Sequence, residues 1–279
     1  MAELRVLSWN STGEAWPRGT VLAQAVNHLQ VGNGAPPLQL LAIQEARTTN
    51  VGTIHAALAN APFTDFVHPE EMIRERPQAP QGRAYRVSWR EQDPNLGYNL
   101  AQPFNTQIQW VPLDPVIDNG VNNYINAQIP HFAQRATVKM IAASIRWPIY
   151  QHFTCAGCDV HFFTWHAPLL GPWISAHFTG AHLQGPALPE AFLFFQHSDF
   201  YQNIRNQLRS NSVIVIVGDL NMTRTDIQWA AFFPNFAGFS NNLSHIIAYS
   251  PGGFMVDQGV SYPTQPLSPH DIISARISW

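Results

Sequence analysis

SVIVIVGDLN, residues 212–221, runs five β-branched side chains in succession, Val213 to Val217, and stops at a polar cluster. A strand apolar at every position, not at alternate ones, is buried on both faces. It must therefore lie inside a layered structure, with one face toward a second sheet or a helix and the other toward another layer. The stretch before it, PEAFLFFQHSDFYQNIRNQL (residues 189–208), is the longest helix candidate, with Phe194, Tyr201, Ile204 and Leu208 on one face.

The N-terminal sixty residues read β-α-β-α. LRVLSWN alternates Leu4, Val6 and Ser8 against Arg5, Leu7 and Trp9. Thr20 opens a helix with Val21, Leu22, Ala25, Val26 and Leu29 on one face, ended by Gly32 and Gly34. LQLLAIQE is a buried strand and VGTIHAALAN (51–60) a short helix. AYRVSW, LGYNLAQ and TQIQWVPL read as successive antiparallel strands, followed by an Asn-rich loop over 118–131. RATVKMIAAS, a hairpin around TCAGC and VHFFTWH extend the sheet; 167–189 is a Pro/Gly/aromatic loop; residues 223–279 add a short helix and further strands. Neither a repeat nor a linker is evident, so residues 1–279 are expected to form a single domain. Strands near both ends with helices between predict an α/β class fold: a two-sheet β-sandwich flanked by helices, in four layers, α/β/β/α.

Composition narrows the function. Charged residues are 12%, against ~25% in typical domains, and the net charge is −3. Phosphate contacts dominate affinity for nucleic acid, so binding to DNA here requires a local patch or a metal. IRERPQAPQGRAYR, the most basic stretch, is diluted by Glu75 and is no obvious nuclear-targeting cluster. Lys139 is the only lysine; GC-rich coding bias accounts for this, as would selection against ubiquitination in a foreign cytosol. No apolar run is long enough to span a membrane, and the N-terminus carries no signal-peptide pattern. Cys155 and Cys158 form a C-x-x-C in a turn, where a redox pair at a helix start is not expected. A loop-closing disulfide is the first expectation, two free thiols the other.

Polar residues recur where apolar strands end. Asn10 closes VLSWN, Glu45 closes LLAIQE, His166 closes HFFTWH, and Asp219 and Asn221 follow VIVIVG. Asp257 lies in GGFMVDQGV, and His270 precedes DIISARISW. Singly, each reads as a turn former or a structural histidine. Together, carboxylate and amide oxygens suit Mg²⁺ and two histidines suit proton transfer near neutral pH. That mixture fits metal-assisted cleavage of a phosphate ester.

In their order and separation, LSWNSTGE, LLAIQEA, HFFTWHA, IVIVGDLN and MVDQGV resemble the endonuclease/exonuclease/phosphatase superfamily of deoxyribonuclease-I-like proteins. Within it they are most similar to the B subunit of cytolethal distending toxins. The resemblance spans nearly the whole chain. It implies that Glu45 binds the divalent metal with Asn10 close by and Asp219 contributing, the ion being Mg²⁺ or else Mn²⁺ or Ca²⁺. It implies that Asp219 and Asn221 orient water and the scissile phosphate. His270 would act as or support the general base, held by Asp257, and His166 would stabilise charge on the phosphate. An arginine earlier in the sheet would contact phosphate: Arg135 in QRATVKM is the better match and Arg146 the rival. Pro269 departs from the family, which usually carries Asp there, and Asp271 points to the face opposite His270 if the strand is regular. A weak or shifted metal site is the expected consequence. The implied function is a Mg-dependent DNA-nicking endonuclease, the catalytic subunit of a secreted genotoxin that acts in the host nucleus with delivery subunits and without a small-molecule cofactor. The alternatives are a phosphoinositide phosphatase of the same fold, whose pocket the aromatic loop 167–189 would shape, and a metal-deficient pseudoenzyme that binds a partner.

Overall fold

The structure is a computed structural model that describes residues 1–12, 18–30, 37–47, 58, 63–69, 83–90, 93–98, 118–129, 131–144, 147–167, 189–221, 223, 235–264 and 270–279. Its strands are β1 (Glu3–Asn10), β2 (Leu40–Arg47), β3 (Thr64–Pro69), β4 (Arg83–Trp89), β5 (Leu96–Tyr98), β6 (Ile149–Cys155), β7 (Cys158–His166), β8 (Val213–Asp219), β9 (Ala237–Asn241), β10 (Ser244–Tyr249), β11 (Met255–Tyr262) and β12 (Ile272–Ser278). Its helices are α1 (Arg18–Gln30), α2 (Asn119–Gln128), α3 (Phe132–Ser144), α4 (Pro189–His197) and α5 (Asp199–Gln207).

The strands form two six-stranded sheets, ordered β11-β12-β1-β2-β4-β3 and β5-β6-β7-β8-β10-β9. Each has one parallel pair at its centre, β1 with β2 and β7 with β8, and antiparallel neighbours outside it. A parallel pair needs a crossover. The first passes through α1 and the second through α4 and α5.

Three apolar layers hold the sandwich. Leu4, Val6, Leu40, Ala42, Phe162, Val215 and Ala275 fill the space between the sheets. Leu7, Trp9, Leu41 and Ile43 face outward onto Leu22, Val26 and Leu29 of α1. Ile214, Ile216, Phe163 and Trp165 face outward onto Phe195, Tyr201 and Ile204 of α4 and α5. The VIVIV strand therefore splits as its composition demands, Val213, Val215 and Val217 into the central layer and Ile214 and Ile216 into the helix layer.

Four local expectations are corrected. Residues 119–128, read as loop, are helical: Asp118 caps the helix by accepting from Val121 N at 2.9 Å, and Val121 and Ile125, one turn apart, are buried. RATVKMIAAS belongs to α3, not to a strand. Its Val138 and Ala142, again one turn apart, pack into the helix layer. The long helix over 189–208 is two helices, because Ser198 is extended and caps the second through Tyr201 N. Cys155 and Cys158 close a two-residue turn, Ala156 and Gly157 both at positive φ, and both thiols are free. The Cys155 thiol donates to Glu3 O at 3.2 Å, and burial pushes it up to about 12, which suppresses the thiolate needed for oxidation.

The readings of 51–60 as a helix, 106–113 as a strand, 167–189 as a pocket-shaping loop and a short helix early in the final third fall mainly outside the described residues. Arg146 and Pro269 also lie outside them. Among the described residues no helix is long and apolar enough to cross a membrane.

Candidate active site

Because β1, β2, β7 and β8 form the two parallel pairs, their C-terminal ends deliver Asn10, Glu45, His166 and Asp219. Open α/β sheets bind ligands outside the carboxyl ends of their strands. β12 runs antiparallel to β1, so its beginning, with His270 just before it, comes to the same end. The space between the sheets changes character along the strands. Leu4, Leu40, Val160 and Val213 are replaced by Ser8, Gln44 and Thr164, and these by Asn10, His166 and Asp219. Gln44 Nε2 lies 3.5 Å from both Ser8 Oγ and Thr164 Oγ1, a polar bridge between the sheets directly beneath the site.

Regular alternation would turn Glu45 to the face opposite Gln44. Instead the β2–β4 register shifts between Ile43 and Ala46, and Glu45 stands at φ 53°. A bulge re-aims a side chain in this way, and Glu45 Oε1 reaches to 3.5 Å from His166 Nδ1. Non-glycine residues held at positive φ are strained and cluster at functional sites; Asn221, also at φ 53°, is a second case here.

His166 and Asp219 are register partners across β7 and β8. Gly218 makes that possible, since a Cβ there would sit 1.8 Å from Trp165 O. The Asp219 carboxylate, 1% exposed, is the hub of the site. Its Oδ2 accepts from Asn10 Nδ2 at 2.9 Å and lies 3.4 Å from His270 Nδ1 and 3.8 Å from His166 Nε2. Its Oδ1 accepts from Asn221 N at 2.9 Å. Asn221 Nδ2 in turn donates to Ala167 O, closing the turn after β8 onto the end of β7.

Six of the expected residues therefore meet: Asn10, Glu45, His166, Asp219, Asn221 and His270. Asp257 does not hold His270. It forms a two-point ion pair with Arg276 at 2.8 and 2.6 Å. Its register partner is Arg276, whereas His270 precedes the other end of β12. The Arg276 guanidinium keeps the Asp257 carboxyl below the ordinary range. Asp219 takes the place assigned to Asp257. Arg135, expected in the sheet, is not in it. It lies in the first turn of α3 and its Nε donates to Ile129 O.

Tyr85, which sequence reading does not single out, and Asp271, expected on the face opposite His270, complete the surroundings. Tyr85, buried between the sheets, accepts from His166 N at 3.1 Å. It shares a face with Val87 and Trp89, so the alternation of AYRVSW contained the signal. Asp271 accepts from Asn241 Nδ2 and Ser261 Oγ.

The donors fit a hard divalent cation. Glu45 supplies a carboxylate, 7% exposed, and Asn10 an amide oxygen that also accepts from Thr12 N at 3.0 Å. Among the described residues no three His, Cys, Asp or Glu side chains share chelating geometry. Magnesium is held in this sparse way, by one or two carboxylates with water and substrate phosphate completing the shell.

No family sequence model matches the chain, and no curated protein sequence does. Solved structures do. D. rerio TDP2 in complex with a single-strand DNA product superposes with a TM-score of 0.56 at 10% identity over 100% of both chains. An endonuclease/exonuclease/phosphatase family protein from Bacteroides thetaiotaomicron gives 0.53 at 12% identity, over 99% of this chain and 94% of that one. A mannosyl-6-phosphatase from the same organism gives 0.53 at 14%, over 99% and 100%. Two mixed sheets, packed face to face between helices and opening at their parallel strand ends, are thus the deoxyribonuclease-I-like fold of the endonuclease/exonuclease/phosphatase proteins.

Proposed function

We propose that the chain is a metal-dependent phosphodiesterase that nicks DNA. One observation carries the reading: the buried Asp219 carboxylate lies between two imidazoles, His166 and His270, beside the Glu45 carboxylate. His270 Nδ1–H faces Asp219 Oδ2, which leaves Nε2 to take a proton from the attacking water. Asp219 then stabilises the imidazolium, and Asn10 and the Asn221 N–H keep that carboxylate in place. His166, whose own backbone is tied to Tyr85, donates to a non-bridging phosphate oxygen as charge develops there. Glu45 and Asn10 would hold the cation, which when bound neutralises the phosphate and favours the departing oxygen.

The DNA complex of the TDP2 neighbour supports a nucleic-acid substrate. The net charge of −3 supports a second reading, a phosphatase acting on a compact headgroup such as a phosphoinositide, because such a ligand needs no extended cationic track. The phosphatase among the fold neighbours is consistent with it. The setting of a secreted genotoxin subunit, with delivery subunits and action in the host nucleus, rests on the sequence motifs alone.

Plasmid nicking titrated with Mg²⁺ and Mn²⁺, with EDTA and with His166→Ala and His270→Ala, tests the function. Nicking that requires the metal and both histidines is expected. Nicking that survives EDTA, or either substitution, overturns the mechanism. Phosphate release from a soluble phosphoinositide without nicking selects the second reading. Neither activity from a folded chain leaves a binding protein.

A further inference from the structure

We propose that Asp271 is a positioning residue: together with Thr264 it clasps the His270–Asp271 peptide and holds the His270 imidazole against Asp219. The proposal rests on the hydrolytic reading of the site. His270 stands two residues ahead of Ile272, where the ladder of β12 begins. Its backbone is therefore not set by strand pairing, yet its ring must keep Nδ1 within reach of Asp219 Oδ2.

The clasp supplies what the ladder does not. Asp271 Oδ1 accepts from Thr264 N at 3.3 Å, and Thr264 Oγ1 donates to His270 O at 2.6 Å. Thr264 thus grips both residues of one peptide, and it is buried. The other carboxylate oxygen ties this unit to both sheets. Asp271 Oδ2 accepts from Asn241 Nδ2 at 2.8 Å, at the end of β9, and from Ser261 Oγ at 3.1 Å, in β11. Asn241 Nδ2 also donates to Ser261 Oγ. Hydrogen bonds to an ionised acceptor are the strong kind. A carboxylate beside the histidine therefore serves the site through the backbone.

The test compares Asp271→Ala, Asp271→Asn, Thr264→Val and the exchange Asp271→Asn with Asn241→Asp, by kinetics of plasmid nicking and by nitrogen-15 NMR of the His270 ring, assigned with His270→Gln. Asp271→Ala is expected to lower kcat by roughly 10–100-fold, since a misplacement of about 1 Å costs that order, with KM within about twofold. Thr264→Val, which keeps shape and loses the donor, is expected to fall about tenfold. The exchange is expected to recover most of the loss, because an aspartate at 241 accepts from the asparagine at 271. The ring nitrogens of His270 are expected to lose their single tautomer in Asp271→Ala and to regain it in the exchange. Unchanged kcat together with an unchanged His270 ring in a folded Asp271→Ala or Thr264→Val protein overturns the proposal. A wild-type chain that neither nicks DNA nor releases phosphate from a phosphoinositide refutes the hydrolytic reading instead, and the ring signature then still decides whether the clasp exists.

Discussion

His161 and His166 lie on the same strand, β7, and have opposite fates. They stand five positions apart, an odd offset, so they point to opposite faces. His161 points to the helix layer in mid-strand. It hydrogen-bonds Tyr150 at 2.9 Å, stacks on His152 at 5.1 Å, and burial, with His152 beside it, pushes its pKa down to about 4. His166 points between the sheets at the strand's last position, within 4 Å of two carboxylates. Residue type says nothing about which is which. Parity along the strand and distance from its C-terminal end say nearly everything, because the layer between the sheets turns polar only there.

The largest expected effect breaks the pair apart. His166→Ala should reduce the single-turnover rate of nicking by about 10²–10⁴-fold, with little change in urea midpoint. His161→Leu should leave that rate within about twofold. A His161 variant that folds normally and has lost activity would end the distinction. Glu45 sharpens it from the metal side: Glu45→Gln keeps the shape and removes a charge. The Mg²⁺ concentration giving half-maximal activity should then rise on the order of tenfold or more, read from a metal titration.

The third effect is one of stability and belongs to His161. Its folded pKa lies near 4 and its ordinary value is 6.5. The unfolded chain therefore binds the extra proton between these two values. Stability is fully present above pH 6.5 and is lost as the pH falls toward 4, with no further loss from this group below that. At ~1.4 kcal/mol per unit the loss approaches about 3 kcal/mol. Urea unfolding at pH 7 and pH 4.5 measures it, and His161→Leu should flatten the difference.

Much of this arrangement was legible in the sequence, for a reason the two histidines illustrate. A buried strand advertises itself by composition, and a polar residue at its end is visible as the place where the apolar run stops. Asn10, Glu45, His166 and Asp219 were found in that way. The helices α2 and α3 were hidden because Asn-rich and β-branched residues mask the four-residue spacing of Val121 with Ile125 and of Val138 with Ala142. Tyr85 meets the site through a backbone N–H, that of His166, which leaves no mark on a motif.

Asp257 gives the smallest effect. Order along the chain placed it near His270, but register is a pairing property, and β11 meets β12 so that Asp257 faces Arg276. That ion pair is partly exposed, with Asp257 at 28% and Arg276 at 19%, so it is worth only about 0.5–1 kcal/mol and weakens with salt. Because Arg276 lowers the Asp257 pKa, the contribution is present at neutral pH and disappears as the pH falls through the depressed value. Asp257→Asn should therefore lower the urea midpoint slightly at pH 7 and low salt, lower it less at high salt, and leave nicking unchanged. If nicking fell with His270→Ala as its only equal, Asp257 and not Asp219 would be the partner of that histidine, and the hub of the site would have to be moved.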